Sequence, residues 1–597
     1  MKKILLVLFS LLITFPIFAQ VSVDPDDTFY TLVEAWEIRG LIDEVPPLRP
    51  FPIKNIRDIL KTVMEKGNER DKRNAELYWE KVTGKPWNVS LQTDLTYKRD
   101  AEKGGFGDAH VGIYPDLNGD ISLFDEFVSM GYSIGLAAYN NKVSDYLAIY
   151  ENDHHDGLHD ASSVGPIEVY LDMNDILAVG TKNIFAQIGI YRSGYGPFIN
   201  SGLALNDNSY HRTNLSFTTV NPRWSYTQQY STMGATLSYD GSDLTPDKYM
   251  AFHALEFKFL PQLSLAYYET IVFGRRLDQS YLIPVPFMVA QGIGGYNDNL
   301  QMGLVIKYRP YTGLLWATDF FVDDLSVDDI VKFNFDTKIR VAFKTGIIYT
   351  PVDSYCSRLA LDYTIITPYT YTHWDYDDPN KDCTISDHCF NFQNYTNNGV
   401  PIGQSYPPNT DRIALTLNFI PVPPLHIQLM SSFMRHANVC ESYTTEEAIE
   451  LLRSEPGTYS TDGSINTHPN MGSDGSIGKH IGSAWNHLNY MTQPNKMYVL
   501  QEGFSVDYSF KKYKWGQFSL HASYLFEWIK NRGVDSHLYP GQGSLIIHDD
   551  TTENDVYTYN GTDFSSEELV DYFHSRWEDG LRDEINNYFT IGFKYQF

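Results

Sequence analysis

Residues 586–597, NNYFTIGFKYQF, close the chain, and their order decides how the rest is read. Phe589, Ile591, Phe593, Tyr595 and Phe597 occupy alternate positions, with Thr590, Gly592, Lys594 and Gln596 between them. Side chains alternate across a β-strand, so the apolar set lies on one face and the polar set on the other. Chain ends are usually polar and frayed unless something ties them down. A final strand with one greasy face needs a partner, and pairing with the first strand would close the sheet into a barrel.

The opposite end reads MKKILLVLFSLLITFPIFAQ. Lys2 and Lys3 precede an apolar run from Ile4 to Phe18 and then Ala19, the pattern of a secretory signal peptide cleaved after Ala19. Residues 1–19 are therefore set aside, and an exported protein is expected. The chain of 597 residues is 15% aromatic, with 43 Tyr and 34 Phe. Beyond the signal peptide the longest apolar run is Leu282–Ala290, far short of the roughly 20 residues of a spanning helix. Short strands that offer half their residues to lipid and half to a polar lumen reconcile abundant rings with the absence of long apolar runs.

Three short amphipathic helices are expected before the strands, in a bundle spanning residues 20–86. DDTFYTLVEAWEIRG sets Phe29, Leu32, Val33 and Trp36 at helical spacing, with Asp26 or Asp27 as cap and Gly40 as stop. IKNIRDILKTVMEKG and ERDKRNAELYWEKVTG repeat the pattern. Under sixty residues make a marginal core alone, so the bundle should pack on something larger. From residue 87 to 597 the period becomes two: LEFKF puts Leu255, Phe257 and Phe259 on one face and Glu256 and Lys258 on the other. Aromatic residues gather at strand ends, and short connections alternate with long polar ones, as in outer-membrane barrels. Alternation gives between 16 and 20 strands. Eighteen is the expectation, because closed bacterial barrels use even numbers. The long loops fall near 374–410, 436–496 and 530–585. Two carry helices opened by capping boxes, Thr444–Glu447 and Ser565–Glu568.

The net charge of −28 excludes nucleic acid as a partner, since no basic stretch is present to neutralise phosphates. Cys356, Cys383, Cys389 and Cys440 allow three pairings, of which Cys383–Cys389 within one polar loop is favoured. No catalytic set emerges. His548, Asp549 and Asp550 are sequence neighbours that an extended strand would point apart. ENDHHDGLHD, from Glu151 to Asp160, offers imidazoles and carboxylates to a divalent cation, but a solvated acidic loop is the plainer reading. No cofactor is expected. The remaining candidates lie at strand ends: Arg192 and Tyr195 in YRSGYGP, Arg275 and Arg276 in IVFGRRLDQ, and Asp323, Asp324, Asp328 and Asp329 in FFVDDLSVDD. Arginine beside aromatic rings suits an anionic sugar, by bidentate pairing to carboxylates and stacking on ring faces. Ordinary lumen charges that tune a pore are the alternative.

Five stretches together carry a resemblance: FYTLVEAWEIRGLIDEVPPLRPF, YGPFINSGLALNDNS, VFGRR, YNDNLQMGLVIKY and DFFVDDL. Their order is similar to that in the Wzi capsule-assembly family of outer-membrane proteins. The resemblance implies an 18-stranded barrel, a helical bundle at the periplasmic end, and a role in holding capsular polysaccharide. It also adds Asn299 to the residues expected to meet the glycan. The implied partners are outer-membrane lipid, a lipopolysaccharide-type surface and surface polysaccharide. The assembly machinery of that membrane joins them, because Phe597 resembles its carboxy-terminal signal. Two features depart from the family: the loops 436–496 and 530–585 are long, and the acidity would repel an acidic glycan. A partly plugged porin or transporter and a loop-based adhesin remain as alternatives.

Overall fold

The computed structural model describes residues 25, 27–43, 45–82, 87–100, 109–140, 143–152, 162–165, 167–235, 247–274, 276–295, 298–325, 331–332, 339–373, 393–445, 448–449, 462–465, 489–536, 538–539, 545–548 and 556–597. Eighteen strands form one closed antiparallel barrel. In chain order the first six are β1 Asn88–Asp100, β2 His110–Leu123, β3 Val128–Tyr139, β4 Ile167–Gly180, β5 Ile184–Tyr191 and β6 Arg212–Val220. The next six are β7 Trp224–Met233, β8 Lys248–Leu260, β9 Leu263–Gly274, β10 Asn299–Tyr311, β11 Leu314–Leu325 and β12 Ile339–Tyr349. The last are β13 Cys356–Ile366, β14 Thr410–Val422, β15 Leu425–Ala437, β16 Lys496–Ser509, β17 Gln517–Arg532 and β18 Arg582–Gln596. Closure is made by the final strand. β18 pairs with β17 on one side and β1 on the other, in a register from Ser90 opposite Gln596 to Asp100 opposite Asn586.

The two faces of the wall follow the period of two. Leu95, Ile113 and Phe593 point outward and are 46%, 44% and 44% exposed, as are similar residues around the ring. Soluble monomers rarely expose contiguous apolar patches beyond a few hundred Å², and this belt encircles the molecule. Lipid must cover it, so the barrel is transmembrane. Tight turns, such as 181–183, 221–223, 261–262 and 312–313, join strands at one end. The opposite end carries the long connections.

The amino-terminal bundle sits against the short-turn end. Its helices are α1 Thr28–Ile38, α2 Ile53–Lys66 and α3 Glu69–Val82. Asp27 caps α1 by accepting the Phe29 N–H at 2.8 Å, and Gly40 follows with φ 75°. Phe29, Trp36, Ile56, Leu60, Val63 and Tyr78 share a core with Ile420 of the barrel. Polar contacts fix the docking: Arg358 pairs with Glu34, Arg57 pairs with Glu126, and the Asn55 amide donates to Lys182 O at 2.8 Å. The bundle caps the short-turn end and reaches into it, where Ile38 packs with Phe198 and the inward Leu315, Ala317 and Ile348, and Leu48 joins the core inside the barrel.

A separate core forms at the long-loop end. Strands Leu545–Ile547, Val556–Tyr559 and Thr562–Ser565 make a small sheet, followed by the helix Ser566–Asp579. The capping box expected at Ser565 and Glu568 is present. Leu569, Phe573 and Trp577 pack with Tyr557, Cys440, Met497 and Ile529. Of the other expected capping box Thr444 and Thr445 are described, and Glu446 and Glu447 lie outside the described residues. Cys356 starts β13 at the short-turn end and Cys440 follows β15 at the long-loop end. A bridge needs Cα atoms within about 7 Å, so these two cannot pair. Cys383 and Cys389 lie outside the described residues.

Candidate functional site in the filled lumen

The loop between β5 and β6, residues 192–211, leaves the long-loop end and runs down the inside of the barrel. There Gly194 and Tyr195 pair antiparallel with Arg49 and Leu48 of the segment that links α1 to α2. The loop then returns. Arg49 grips its far side, donating from Nε and Nη2 to the two oxygens of Asp207 at 2.9 and 2.8 Å. Burial alone would lower the Arg49 pKa, but the Asp207 carboxylate more than reverses this and raises it. Two glycines make the path feasible. A Cβ on Gly194 would lie 1.5 Å from an Asp207 oxygen, and one on Gly202 would lie 2.2 Å from Leu205 O.

A second connection, between β13 and β14, folds inward over this loop. The Tyr371 hydroxyl donates to Leu203 O at 2.9 Å and the Tyr395 hydroxyl donates to Ala204 O at 2.7 Å. The two rings stack with centroids 5.5 Å apart. Asn206 N–H donates to Ile402 O at 2.8 Å, and the Gln404 amide donates to Ser201 O at 2.6 Å. Around these segments the inward side chains of the wall, among them Phe252, Tyr268, Val305 and Phe321, complete a continuous apolar core. The Tyr268 hydroxyl donates to Asp319 at 2.9 Å. From β7 to β13 the described lumen is filled by these connections and by Leu48 of the bundle linker, whereas inward Asp507 of β16 and His521 of β17 stay 51% and 39% exposed at their side chains.

The described sequence candidates all stand at long-loop ends of strands or on the inward loop. Arg192 and Tyr195 are 2% and 3% exposed. Tyr195 rests against Phe252 and Tyr268, with centroids at 4.9 and 5.5 Å. Burial, followed by the charges of Glu256 and Asp319, lifts its pKa well above the ordinary tyrosine value. Asn299 is buried and exchanges two bonds with Gln393, N–H to Oε1 at 3.1 Å and Nδ2 to the carbonyl at 2.8 Å. Asp323 accepts from Tyr371 N–H at 2.8 Å and from the Gln301 amide at 3.2 Å. Tyr195 and Asp323 thus meet the same core through Tyr371 and its neighbours.

Two candidates stay nearer the rim. Arg276 donates to Asp298 at 3.1 Å, approaches Asp278 at 3.4 Å and sits 6.0 Å from the Phe273 ring centre. Burial pulls its pKa down, but the bonds and charge of Asp298 raise it overall. Asp324, 43% exposed at its side chain, lies 3.9 Å from Arg340. Arg275, Asp328 and Asp329, and most of the acidic stretch 151–160, lie outside the described residues. Sequence reasoning missed Asp207, Tyr371 and Tyr395, which organise the lumen. Their only signal was the density of Gly, Asn and Tyr in the two connections.

No known family model matches the sequence, and no curated protein matches it. Among solved structures the chain is similar to Wzi of Escherichia coli, described as an outer-membrane protein involved in group 1 capsule assembly and a carbohydrate-binding β-barrel. The identity is 12%, the match covers 97% of this chain and 98% of that one, and the TM-score is 0.48. Pseudomonas aeruginosa OccD3 follows at 10% identity, 86% and 91% coverage and TM-score 0.37. The outer-membrane protein OprD of the same organism stands at 10%, 86% and 94%, and 0.36. At these values the likenesses concern the path of the chain and carry no function with them. By its own closure, lipid-facing belt and helical cap, the chain is an 18-stranded transmembrane barrel of outer-membrane type, the architecture implied by its resemblance to the Wzi-like proteins.

Proposed function

We propose that the protein is a non-enzymatic outer-membrane barrel that binds and organises surface polysaccharide at its long-loop end, with the helical bundle in the periplasm. The observation that carries this reading is the core that two connections build inside the lumen. Leu203, Ala204 and Leu205 are fully buried inside the barrel, and Tyr371 and Tyr395 are at most 1% exposed. A diffusion pore needs a wet polar path. A dry core across the β7–β13 side of the lumen narrows any such path and holds a shape, and a rigid scaffold is what a binding surface built from loops requires. The polysaccharide itself is supported by the sequence resemblance and by the chemistry of the long-loop rim. Arg276 lies there beside an aromatic ring and carboxylates, and Asp324 beside Arg340. Guanidinium groups, carboxylates and ring faces are the groups that read sugars. Arg192, Tyr195, Asn299 and Asp323 support that rim from beneath, and Arg275 adjoins it in sequence.

The test joins two measurements on the refolded mature protein. In planar bilayers the intact barrel is expected to be silent. On a column bearing the capsular or other surface polysaccharide of the producing cell it is expected to be retained, and Arg276→Gln to be retained less. Steady conductance with no polysaccharide retention would replace this reading with that of a solute channel.

A further inference from the structure

At the opposite end of the molecule an open groove of ≈ 1170 Å³ lies where the bundle meets the barrel rim. It extends from residues 38–43 over the turns at 222–223, 261–262 and 310–312. Arg223 is exposed on its turn. Lys258 donates to Asp43 O, and Arg309 donates to Glu37 O and Pro261 O, both at 2.6 Å. Backbone carbonyls satisfy these N–H groups without cancelling their charge. Arg39, on the same wall, is already neutralised by Asp71, with one bond at 3.1 Å. Among the described lining residues a single carboxylate, Asp43, faces the three cations. In a chain of net charge −28 this is a local reversal of sign.

The other side of the groove is apolar. Phe257 and Phe259 are 44% and 61% exposed, and Tyr311 is 74% exposed. Phe257 and Phe259 belong to the outward face of β8, so the groove opens directly from the lipid belt. Exposed rings at the edge of such a belt sit at headgroup depth, and basic residues there attract anionic lipid. A pocket of roughly 300–1,000 Å³ holds a drug-sized ligand. This groove is large enough for a headgroup and the first part of its acyl chains.

The geometry points to a site for an anionic phospholipid, of the phosphatidylglycerol class, held between the bundle and the barrel rim by Arg223, Lys258 and Arg309. The phosphate lies over the cations and the acyl chain along Phe257 and Phe259. Because Lys258 and Arg309 also hold the bundle by its carbonyls, the lipid fastens the bundle to the membrane. This inference is independent of what the long loops bind.

Native mass spectrometry of the full mature protein released from nanodiscs of mixed phosphatidylglycerol and phosphatidylcholine tests it. One retained phosphatidylglycerol in excess over phosphatidylcholine is expected. Arg223→Gln, on an exposed turn that leaves the fold intact, should lower that retention about fivefold, and Phe259→Ser should lower it as well. Lys512→Gln, on the exposed hairpin 510–516, should leave it unchanged. Equal retention of the two lipids would overturn the site, as would equal losses in the Arg223 and Lys512 variants. Displacement by millimolar inorganic phosphate would reassign it to a free anion. Preferential retention of added lipopolysaccharide would place this end in the outer leaflet and overturn the assignment to phospholipid.

Discussion

On the wall of the barrel Leu95 and Ile113 are 46% and 44% exposed, while in the filling Leu203 and Leu205 are fully buried. Both sets are aliphatic, yet their surroundings are opposite. A wall side chain meets fluid lipid that adjusts to its shape. A filling side chain meets fixed neighbours at close-packed density, and its position depends on bonds made by residues far away in sequence. The wall therefore tolerates any apolar residue of suitable period, whereas the filling demands particular ones.

The sharpest way to break this contrast is Asp207→Ala. It removes the carboxylate that holds Arg49 and leaves a buried guanidinium unpaired, at a cost of about 3–5 kcal/mol. Limited trypsin digestion should then release the bundle faster, while the barrel keeps its heat-modifiable migration on gels. Leu203→Ala comes next. The cavity it leaves inside the lumen should lower stability by about 3 kcal/mol in denaturant titrations of the reconstituted protein. Ile113→Ala on the wall is the matching control. Lipid fills the vacated space, so no cavity remains and the loss should be about 1 kcal/mol. Equal losses at residues 203 and 113 would sink the contrast.

At the cap, Ser565→Ala removes the N-cap of the helix Ser566–Asp579 and should cost about 1 kcal/mol, read as faster amide exchange in its first turn. The smallest effect concerns pH. Hydrogen bonds from the Ser565 backbone and hydroxyl hold the Glu568 pKa below its ordinary value of 4.5. A carboxylate with a lowered folded pKa stabilises above its unfolded value and loses that contribution as pH falls through the folded one. The first turn should therefore exchange faster below pH 4.5, and Glu568→Gln should remove the dependence.

Much of the wall was legible. The alternation in NNYFTIGFKYQF and LEFKF gives the faces seen in β18 and β8, and the three amino-terminal helices stand where 3.6-residue periodicity placed them. Both signals are local, because an isolated strand or helix already fixes which residues share a face. The filling was not legible. YRSGYGP read as a strand end suited to sugars, and periodicity did not tell that its Tyr195 packs on Phe252 and Tyr268. Nothing local in the two connections marked them as the segments that fold into the lumen and join Leu48 there.

The sequence by itself determined a lipid-facing barrel preceded by three helices, since the periods of two and 3.6 are local properties of the chain. Only the tertiary structure decided which connections fold into the lumen and where the candidate residues point. Arg49 and Asp207 stand 158 positions apart, and Leu203 and Tyr371 stand 168 apart. Contacts at such separations leave no periodic trace, because they depend on closed sheet geometry bringing distant loops into one enclosed space.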